Sequence, residues 1–443
     1  MRVLWVCNIM LPMVAEHLGL EASNKEGWLT GVADTILQNK EDNHIELAVA
    51  FPVTGALKEK KLVVPVKGKE ATLTCYAFVE DTVHPEIYTQ DLEGQLQEIV
   101  KDWKPDVVHC FGTEYPHTLA VTKVCSPEKI LIGIQGLCKI YAQCYLADLP
   151  KRVVKRVTFR DFLKKDSIRK QHAKFIKRGE HEVAAVLGTG HVTGRTWIDK
   201  KFTMETNENL SYHFMNETLR SNFYEGSWQL ENCEKYSIFL SQGDYPIKGL
   251  HYMLKAMPRI LEKYPTAKVY VAGNSIVNYS TIKDKLKISS YGKYIRELIK
   301  ANKLENKVVF LGKMNAEEMK LRFLRSYTFV CPSVIENSPN SLGEAMLLGV
   351  PCVTAEVGGI NSIFHNTHDG IAYPGYGSPE YKDEEDKESA QSRVLAHAVL
   401  RMWADEEKMQ EYSLHAREHA ARTHNGKANY KRLVEIYETI SKE

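Results

Sequence analysis

Two carboxylates, Glu336 and Glu344, stand with seven residues between them in the string Ile-Glu-Asn-Ser-Pro-Asn-Ser-Leu-Gly-Glu-Ala that spans 335–345. An apolar run precedes them, and Pro339 and Asn340 have turn chemistry. The following residues read as a helix that starts at Ser341 or Leu342 and stops at Gly349, with Pro351 beyond it. Glu336 is therefore expected on a strand-end loop and Glu344 in the first helical turn. Carboxylates so placed accept hydrogen bonds from sugar hydroxyls. The helix N-terminus offers unpaired N–H groups to a phosphate or a sugar oxygen. Each residue alone has a plainer explanation. Ser341-x-x-Glu344 matches a capping box, in which the glutamate only satisfies a backbone donor, and Glu336 alone reads as a solvated loop acid. The strand before and the helix after favour a ligand site, because doubly wound sheets bind ligands at the carboxyl ends of their strands.

The elements that would position this pair are written as short apolar, β-branched runs alternating with helix-period segments. Strands are predicted at 3–7, 45–51, 106–111, 130–134 and 183–187 in the first half. In the second half they fall at 236–241, 267–272, 307–311, 328–332 and 351–355. The runs are apolar throughout rather than alternating, as in a parallel sheet covered on both faces. Leu92, Leu96, Ile99, Val100 and Trp103 share one helical face, as do Leu250, Met253, Leu254, Met257, Ile260, Leu261 and Tyr264. This alternation implies a doubly wound α/β architecture. The pattern pauses over 199–234, which is polar and aperiodic and reads as a connection between two domains. A last helix places Tyr430, Leu433, Val434, Tyr437 and Ile440 on one face.

The spacing Glu336-x7-Glu344, followed by Ala345-Met346-x-x-Gly349-x-Pro351-x-Val353 and then Gly358-Gly359, resembles family-4 retaining glycosyltransferases of the GT-B fold. Asp244-Tyr245-Pro246-Ile247-Lys248-Gly249 resembles their phosphate-binding segment, and Asn24-Lys25-Glu26-Gly27-Trp28 looks like their N-terminal acceptor-side loop. The resemblance covers nearly the whole chain and is nearest to bacterial capsular-polysaccharide members. It implies two Rossmann-like doubly wound domains facing a central cleft. Residues 1–200 would form the acceptor side, 201–234 the connection and 235–425 the nucleotide-sugar-binding domain, with a helix at 426–443 packing back on the first domain. It implies that Glu336 meets hydroxyls of the transferred sugar and Glu344 the ribose. Backbone amides near Asn340, Ser341 and Leu342 would cradle sugar and phosphate, and Gly27 would also lie at the donor. Lys248 would neutralise the departing diphosphate, where a fixed cation counts most because water is excluded. The implied activity is a hexosyltransferase type, with a UDP-sugar ahead of a GDP-sugar as donor and a saccharide, lipid-linked in an envelope or capsular pathway, as acceptor. No cofactor and no metal are expected. A nucleotide-sugar epimerase of the same fold, or a non-catalytic nucleotide-sugar- or membrane-binding protein, are the alternatives.

Two positions depart from that family's pattern. Many members carry an arginine five or six residues before the lysine, where this chain has Gln242 and Gly243; Arg195, at a strand end in the first domain, is a candidate substitute, with a surface salt bridge as its plainer explanation. Many also carry a histidine after the strand at 130–134, where this chain has Gln135-Gly136. Glutamine hydrogen-bonds a hydroxyl but is no base at neutral pH. Thr113 and Glu114, after the strand at 106–111, complete the acceptor-side candidates.

Bulk properties agree with an ordinary enzyme of two or three domains. The 443 residues are 44% hydrophobic and 26% charged, with a net charge of +2 that gives no general attraction to nucleic acid. Nine cysteines without a C-x-x-C pair read as free thiols in a reducing compartment. No run reaches membrane-span length, so a cytoplasmic location, peripheral at the inner face of the cell membrane, is expected. The stretch 151–178 holds 12 Lys or Arg against two Asp, interleaved with Val154, Val157, Phe159, Phe162, Phe175 and Ile176. It reads as a surface for anionic lipid headgroups or a lipid diphosphate, or as a solvated helix face, with nucleic acid disfavoured because no aromatic base-stacking module is evident. Three further strings are read as carrying no site. Gly188-x-Gly190-x-x-x-Gly194 after the strand at 183–187 is followed by Arg195-Thr196-Trp197-Ile198-Asp199, which lacks the small-residue helix face of a dinucleotide loop. His415-x-x-Glu418-His419 has no third metal ligand on its polar helix. The acidic run at 383–386 lacks a strand end.

Overall fold

The computed structural model describes residues 1–20, 27–39, 44–55, 59–66, 72–278 and 281–442. Contacts divide the chain into two units. The first comprises Met1–Ile140, Lys174–Arg220 and His424–Glu443, and the second Tyr141–Ala173 and Ser221–Thr423.

The first unit is built on eight strands: β1 (Arg2–Val6), β2 (Glu46–Val53), β3 (Lys61–Pro65), β4 (Thr72–Val79), β5 (Val107–Phe111), β6 (Ile130–Gly133), β7 (His191–Gly194) and β8 (Ser211–Phe214). Their order is β3-β4-β2-β1-β5-β6-β7-β8, parallel except where β3 runs antiparallel to β4. Side chains alternate across β1, so Val3 and Trp5 enter one core and Leu4 and Val6 the other. The helix Asp91–Trp103 covers the second face with Leu92, Leu96, Ile99 and Trp103. The final helix, Gly426–Ile440, covers the first with Leu433, Ile436, Tyr437 and Ile440. Its Tyr437 hydroxyl accepts a hydrogen bond from Trp5 Nε1 at 2.8 Å and lies 2.7 Å from His109 Nδ1.

The second unit is built on six parallel strands: β9 (Glu234–Leu240), β10 (Lys268–Ala272), β11 (Val308–Gly312), β12 (Ser326–Cys331), β13 (Cys352–Glu356) and β14 (Gly370–Pro374). Their order is β11-β10-β9-β12-β13-β14. The helix Leu250–Lys263 buries the face predicted for it, including Leu250, Met253, Leu254, Met257 and Ile260. Segment 141–173 joins this unit through specific polar contacts. Asp161 Oδ2 accepts from Ser290 N at 3.0 Å and Ser290 Oγ at 2.6 Å. Ala147 O accepts from Tyr252 Oη at 3.0 Å, and Glu297 pairs with Arg152 and Arg156, each at 2.8 Å.

Several sequence expectations change. Residues 183–187 are not a strand but the end of a 20-residue helix, Ile168–Leu187, and the strand is β7. Gly188 therefore follows a helix, which removes the strand that a dinucleotide loop needs. The expected connection begins inside the helix Trp197–Thr206 and contributes the edge strand β8. β3, β4, β8 and β14 join the predicted strands. Among the described residues no helix is long and apolar enough to cross a membrane.

Candidate active site

In the second sheet β9 lies between β10 and β12, so the chain winds outward through β10 and β11 and then restarts on the other side of β9 at β12. The carboxyl ends of β9 and β12 form the topological switch point, the place where an open parallel sheet leaves a crevice. Lys248 lies on the segment leaving β9, in the 3-10 turn Pro246–Lys248. Glu336 lies on the segment leaving β12.

These two segments interlock. Val334 N donates to Ile247 O at 2.7 Å. Gly249 has φ +70°, and a Cβ built there would lie 1.8 Å from Pro332 O. Only glycine lets the backbones approach this closely. The result is that Lys248 Nζ donates to Glu336 Oε1 at 2.6 Å, and Ser333 Oγ donates to the same oxygen at 2.7 Å. The lysine side chain is 20% exposed and the glutamate 7%, so a ligand reaches a pair that is mostly withdrawn from water. Burial alone depresses the Lys248 ammonium. The Glu336 carboxylate, with Tyr245 and Tyr141, outweighs it and holds the lysine charged well above its ordinary range. The loop after β13 clamps Glu336 from behind: Gly359 N donates to Glu336 O at 2.9 Å, and Gly358, at φ +54°, leaves no space for a side chain against that carbonyl.

The next helix runs Asn340–Leu348, with Pro339 at its N-cap and no side chain capping it. Ser341 and Glu344 thus occupy the second and fifth helical positions. The capping-box explanation of Glu344 does not describe this helix start, and Glu344 is buried. Leu342 N is already engaged by Pro339 O at 3.0 Å and its side chain is in the core. The open first-turn amides are those of Asn340 and Ser341, both half-buried.

In the first unit the loops after β5, β6 and β7 bring Thr113, Glu114, Gln135 and Arg195 together with two acids that the sequence reading missed. Arg195 Nη1 pairs with Glu217 Oε1 at 2.5 Å, with exposures of 4% and 3%, and Gln135 Nε2 donates to the same oxygen at 2.6 Å. The surface salt bridge considered for Arg195 is in fact a buried pair, and its charge is already matched. Thr113 Oγ1 donates to Glu182 Oε1 at 2.6 Å, and Glu182 also accepts from Cys138 N and Lys139 N. Burial pushes Glu182 up to about 7. Glu114 Oε1 accepts from Gly136 N at 2.6 Å, and burial raises this carboxyl too. Gly27 opens the helix Gly27–Gln38, while residues 24–26 of the proposed acceptor-side loop lie outside the described residues.

Known proteins resemble this chain in part of its sequence and in its fold. The model for "Glycosyl transferases group 1" matches residues 224–385, which hold Lys248, Ser333, Glu336, Glu344 and the Gly358-Gly359 clamp. An uncharacterized glycosyltransferase of Methanocaldococcus jannaschii is 32% identical over 146 residues, covering 33% of this chain and 33% of its own. The putative glycosyltransferase YtcC of Bacillus subtilis is 25% identical over 196 residues, covering 44% and 43%. The chain therefore spans less than half the length of these curated relatives. Among solved structures, sucrose-phosphate synthase from Thermosynechococcus elongatus aligns with a TM-score of 0.67 over 99% of both chains at 12% identity. HepE of Anabaena, in complex with UDP-glucose, aligns with a TM-score of 0.62 over 99% of this chain and 100% of that one at 14% identity. At such identities the likeness concerns the fold. Residues 224–385, with the lysine–glutamate pair at their strand ends, thus resemble the group 1 glycosyltransferases, on a chain whose two Rossmann-like sheets have the GT-B fold.

Proposed function

We propose that this protein transfers a sugar from a nucleotide-sugar, a UDP-sugar ahead of a GDP-sugar, to a saccharide acceptor with retention of anomeric configuration. The observation that carries this reading is the Lys248–Glu336 pair at the switch point of the second sheet. In the proposed complex the Lys248 ammonium meets the diphosphate, and Glu336 accepts from hydroxyls of the transferred sugar. The Asn340 and Ser341 amides face phosphate or sugar oxygens, and Glu344 meets the ribose. The acceptor hydroxyl attacks the anomeric carbon from the face that the diphosphate leaves. The bond to the diphosphate oxygen breaks as the glycosidic bond forms, and the proton passes to the departing phosphate. Lys248 stabilises the charge that develops there, in a site largely closed to water. HepE, solved with UDP-glucose, supports the choice of donor. Gln135, Thr113 and Glu114 are proposed to serve the acceptor, and their hydrogen bonds to Glu217, Glu182 and Gly136 N make them positioning groups rather than bases.

A lipid-linked acceptor in envelope or capsular polysaccharide synthesis, met at an anionic membrane surface, belongs to the same proposal. Its support is the segment 151–178, where Val157, Phe159, Phe162 and Leu163 are exposed beside exposed Lys155, Lys164 and Lys165. The test is a screen of UDP- and GDP-sugars by thermal shift, followed by product analysis with and without a lipid-linked acceptor. Release of nucleoside diphosphate with formation of a retained glycoside supports the reading. An interconverted sugar with its nucleotide intact identifies an epimerase instead, and binding without turnover identifies a binding protein.

A further inference from the structure

Of the string His415-x-x-Glu418-His419 on the helix Glu406–Thr423, His419 meets potential ligands that the fold brings from elsewhere in the second unit. Asp369 immediately precedes β14 and its side chain is fully buried. Its Oδ2 lies 2.7 Å from His419 Nδ1 and accepts the His365 backbone N–H at 2.7 Å, while its Oδ1 lies 2.8 Å from His368 Nδ1. His365 Nδ1 stands 3.8 Å from the same Oδ2. Three imidazoles stand around this one carboxylate, and a fourth, His415, stacks on one of them, giving two stacked pairs. His365 lies on His419 with centroids 4.6 Å apart, and His368 lies on His415 at 4.4 Å. His415 Nδ1 is buried without a hydrogen-bond partner.

We propose that His365, Asp369 and His419 bind a divalent transition-metal ion, with zinc as the best match. Two imidazole nitrogens and one carboxylate oxygen are a zinc-type donor set that leaves a fourth position for water. The potential ligand atoms all lie within 4.8 Å of one another. Ligands about 2.05 Å from a tetrahedral zinc stand roughly 3.3 Å apart. The His419–Asp369 pair therefore opens, and the His365–Asp369 pair closes, by about half an ångström each, and the stacked His365 and His419 rings turn so that their nitrogens, within 4.8 Å at present, converge on the ion. The ion replaces the proton shared by His419 Nδ1 and Asp369, and that proton moves to Nε2 of the same ring. His368 holds the other carboxylate oxygen, as partners of metal-bound carboxylates do. His365 is 60% exposed and provides the route of entry.

The site sits at the amino end of β14, whereas Lys248 and Glu336 sit at the carboxyl ends of β9 and β12. A five-residue strand is about 16 Å long, so the ion is remote from the proposed transfer chemistry. Its role is a staple between the edge of the sheet and the helix Glu406–Thr423. That helix also reaches the end of the helix carrying Glu344, where Ser413 Oγ donates to Gly349 O.

The test uses the full chain, stripped with a chelator, with Zn2+ titrated against a competing indicator and Co2+ added separately for its visible spectrum. One Zn2+ per chain is expected, with an affinity reduced at least about tenfold in both His365→Ala and His419→Ala. The exposed His17→Ala should bind like the parent. The Co2+ spectrum should show nitrogen and oxygen ligation. Because the His365 side chain is exposed, His365→Ala decides the matter if His419→Ala fails to fold. Absence of stoichiometric binding would leave a hydrogen-bonded latch and overturn the proposal. So would unchanged affinity in a folded His365→Ala protein, or a thiolate charge-transfer band placing the ion on a cysteine.

Discussion

Replacing Gly249 by alanine adds one methyl group at the point where the two site loops cross. Its φ of +70° lies in the left-handed region, which costs an L-residue about 1–2 kcal/mol. The larger effect is steric. The new Cβ would lie 1.8 Å from Pro332 O, and a tolerable carbon–oxygen contact is about 3.3 Å. The loops must therefore separate by about 1.5 Å. Lys248 is the residue directly before the substitution and its partner Glu336 lies on the other loop, so their 2.6 Å contact absorbs the shift. A displacement of about 1 Å costs on the order of a hundredfold in a positioned reaction. Gly249→Ala is expected to lose at least that much turnover, read as nucleoside diphosphate release from the donor identified by thermal shift. Gly312 provides the control. It has a comparable φ of +79°, but nothing lies within 4 Å of its built Cβ. Gly312→Ala should thus show the backbone cost of about 1–2 kcal/mol in denaturant unfolding with turnover unchanged. If Gly249→Ala turns over at the rate of Gly312→Ala, the interlocked loops do not position the reactive groups and the reasoning fails.

Two further outcomes concern the first unit. Glu217→Gln removes the carboxylate that faces the buried Arg195 guanidinium and should cost about 3–5 kcal/mol in chemical denaturation; replacing both partners by apolar residues should cost less than the sum of the single changes. Glu182 has its folded pKa raised by burial to about 7, so between its unfolded value and pH 7 the folded state holds a proton that the unfolded state has lost. This contribution to stability is present at low pH and declines as pH rises through that window. Glu182→Gln should flatten the decline in urea midpoint over the same range, and an unchanged pH profile would contradict the assignment.

The parallel strands were legible because both of their faces are covered, which writes them as unbroken apolar runs. β1, β5 and β12 are of this kind. The misread run at 183–187 shows the limit of that signal: five apolar residues at the end of an amphipathic helix look like a buried strand, and period cannot separate them. β8 is short and only half-buried, while β14 is bounded by Gly370 and Pro374, so neither stood out. Lys248 and Glu336 were legible because loops at strand ends carry ligand groups and the surrounding string was long. Glu182 and Glu217 were not, because nothing local marks them. Glu182 meets Thr113 across 69 positions, and Glu217 lies in a stretch that reads as a connection. The histidine cluster was hidden for the same reason, since Asp369 and His419 are 50 residues apart. Segment 141–173 has the position of a first-domain element in the chain, and only its contacts with Tyr252, Ser290 and Glu297 assign it to the second unit.

The most direct test of the central claim is single-turnover release of nucleoside diphosphate by the parent, Lys248→Ala and Glu336→Ala proteins, each shown to be folded by its melting profile. The lysine is expected to be worth about 10²–10³ in rate, as for other groups that stabilise charge developing in a transition state. The Glu336 variant should also be impaired, because it loses both the proposed sugar contact and the anchor of Lys248. A folded Lys248→Ala or Glu336→Ala protein that transfers sugar at the parental rate would contradict the account.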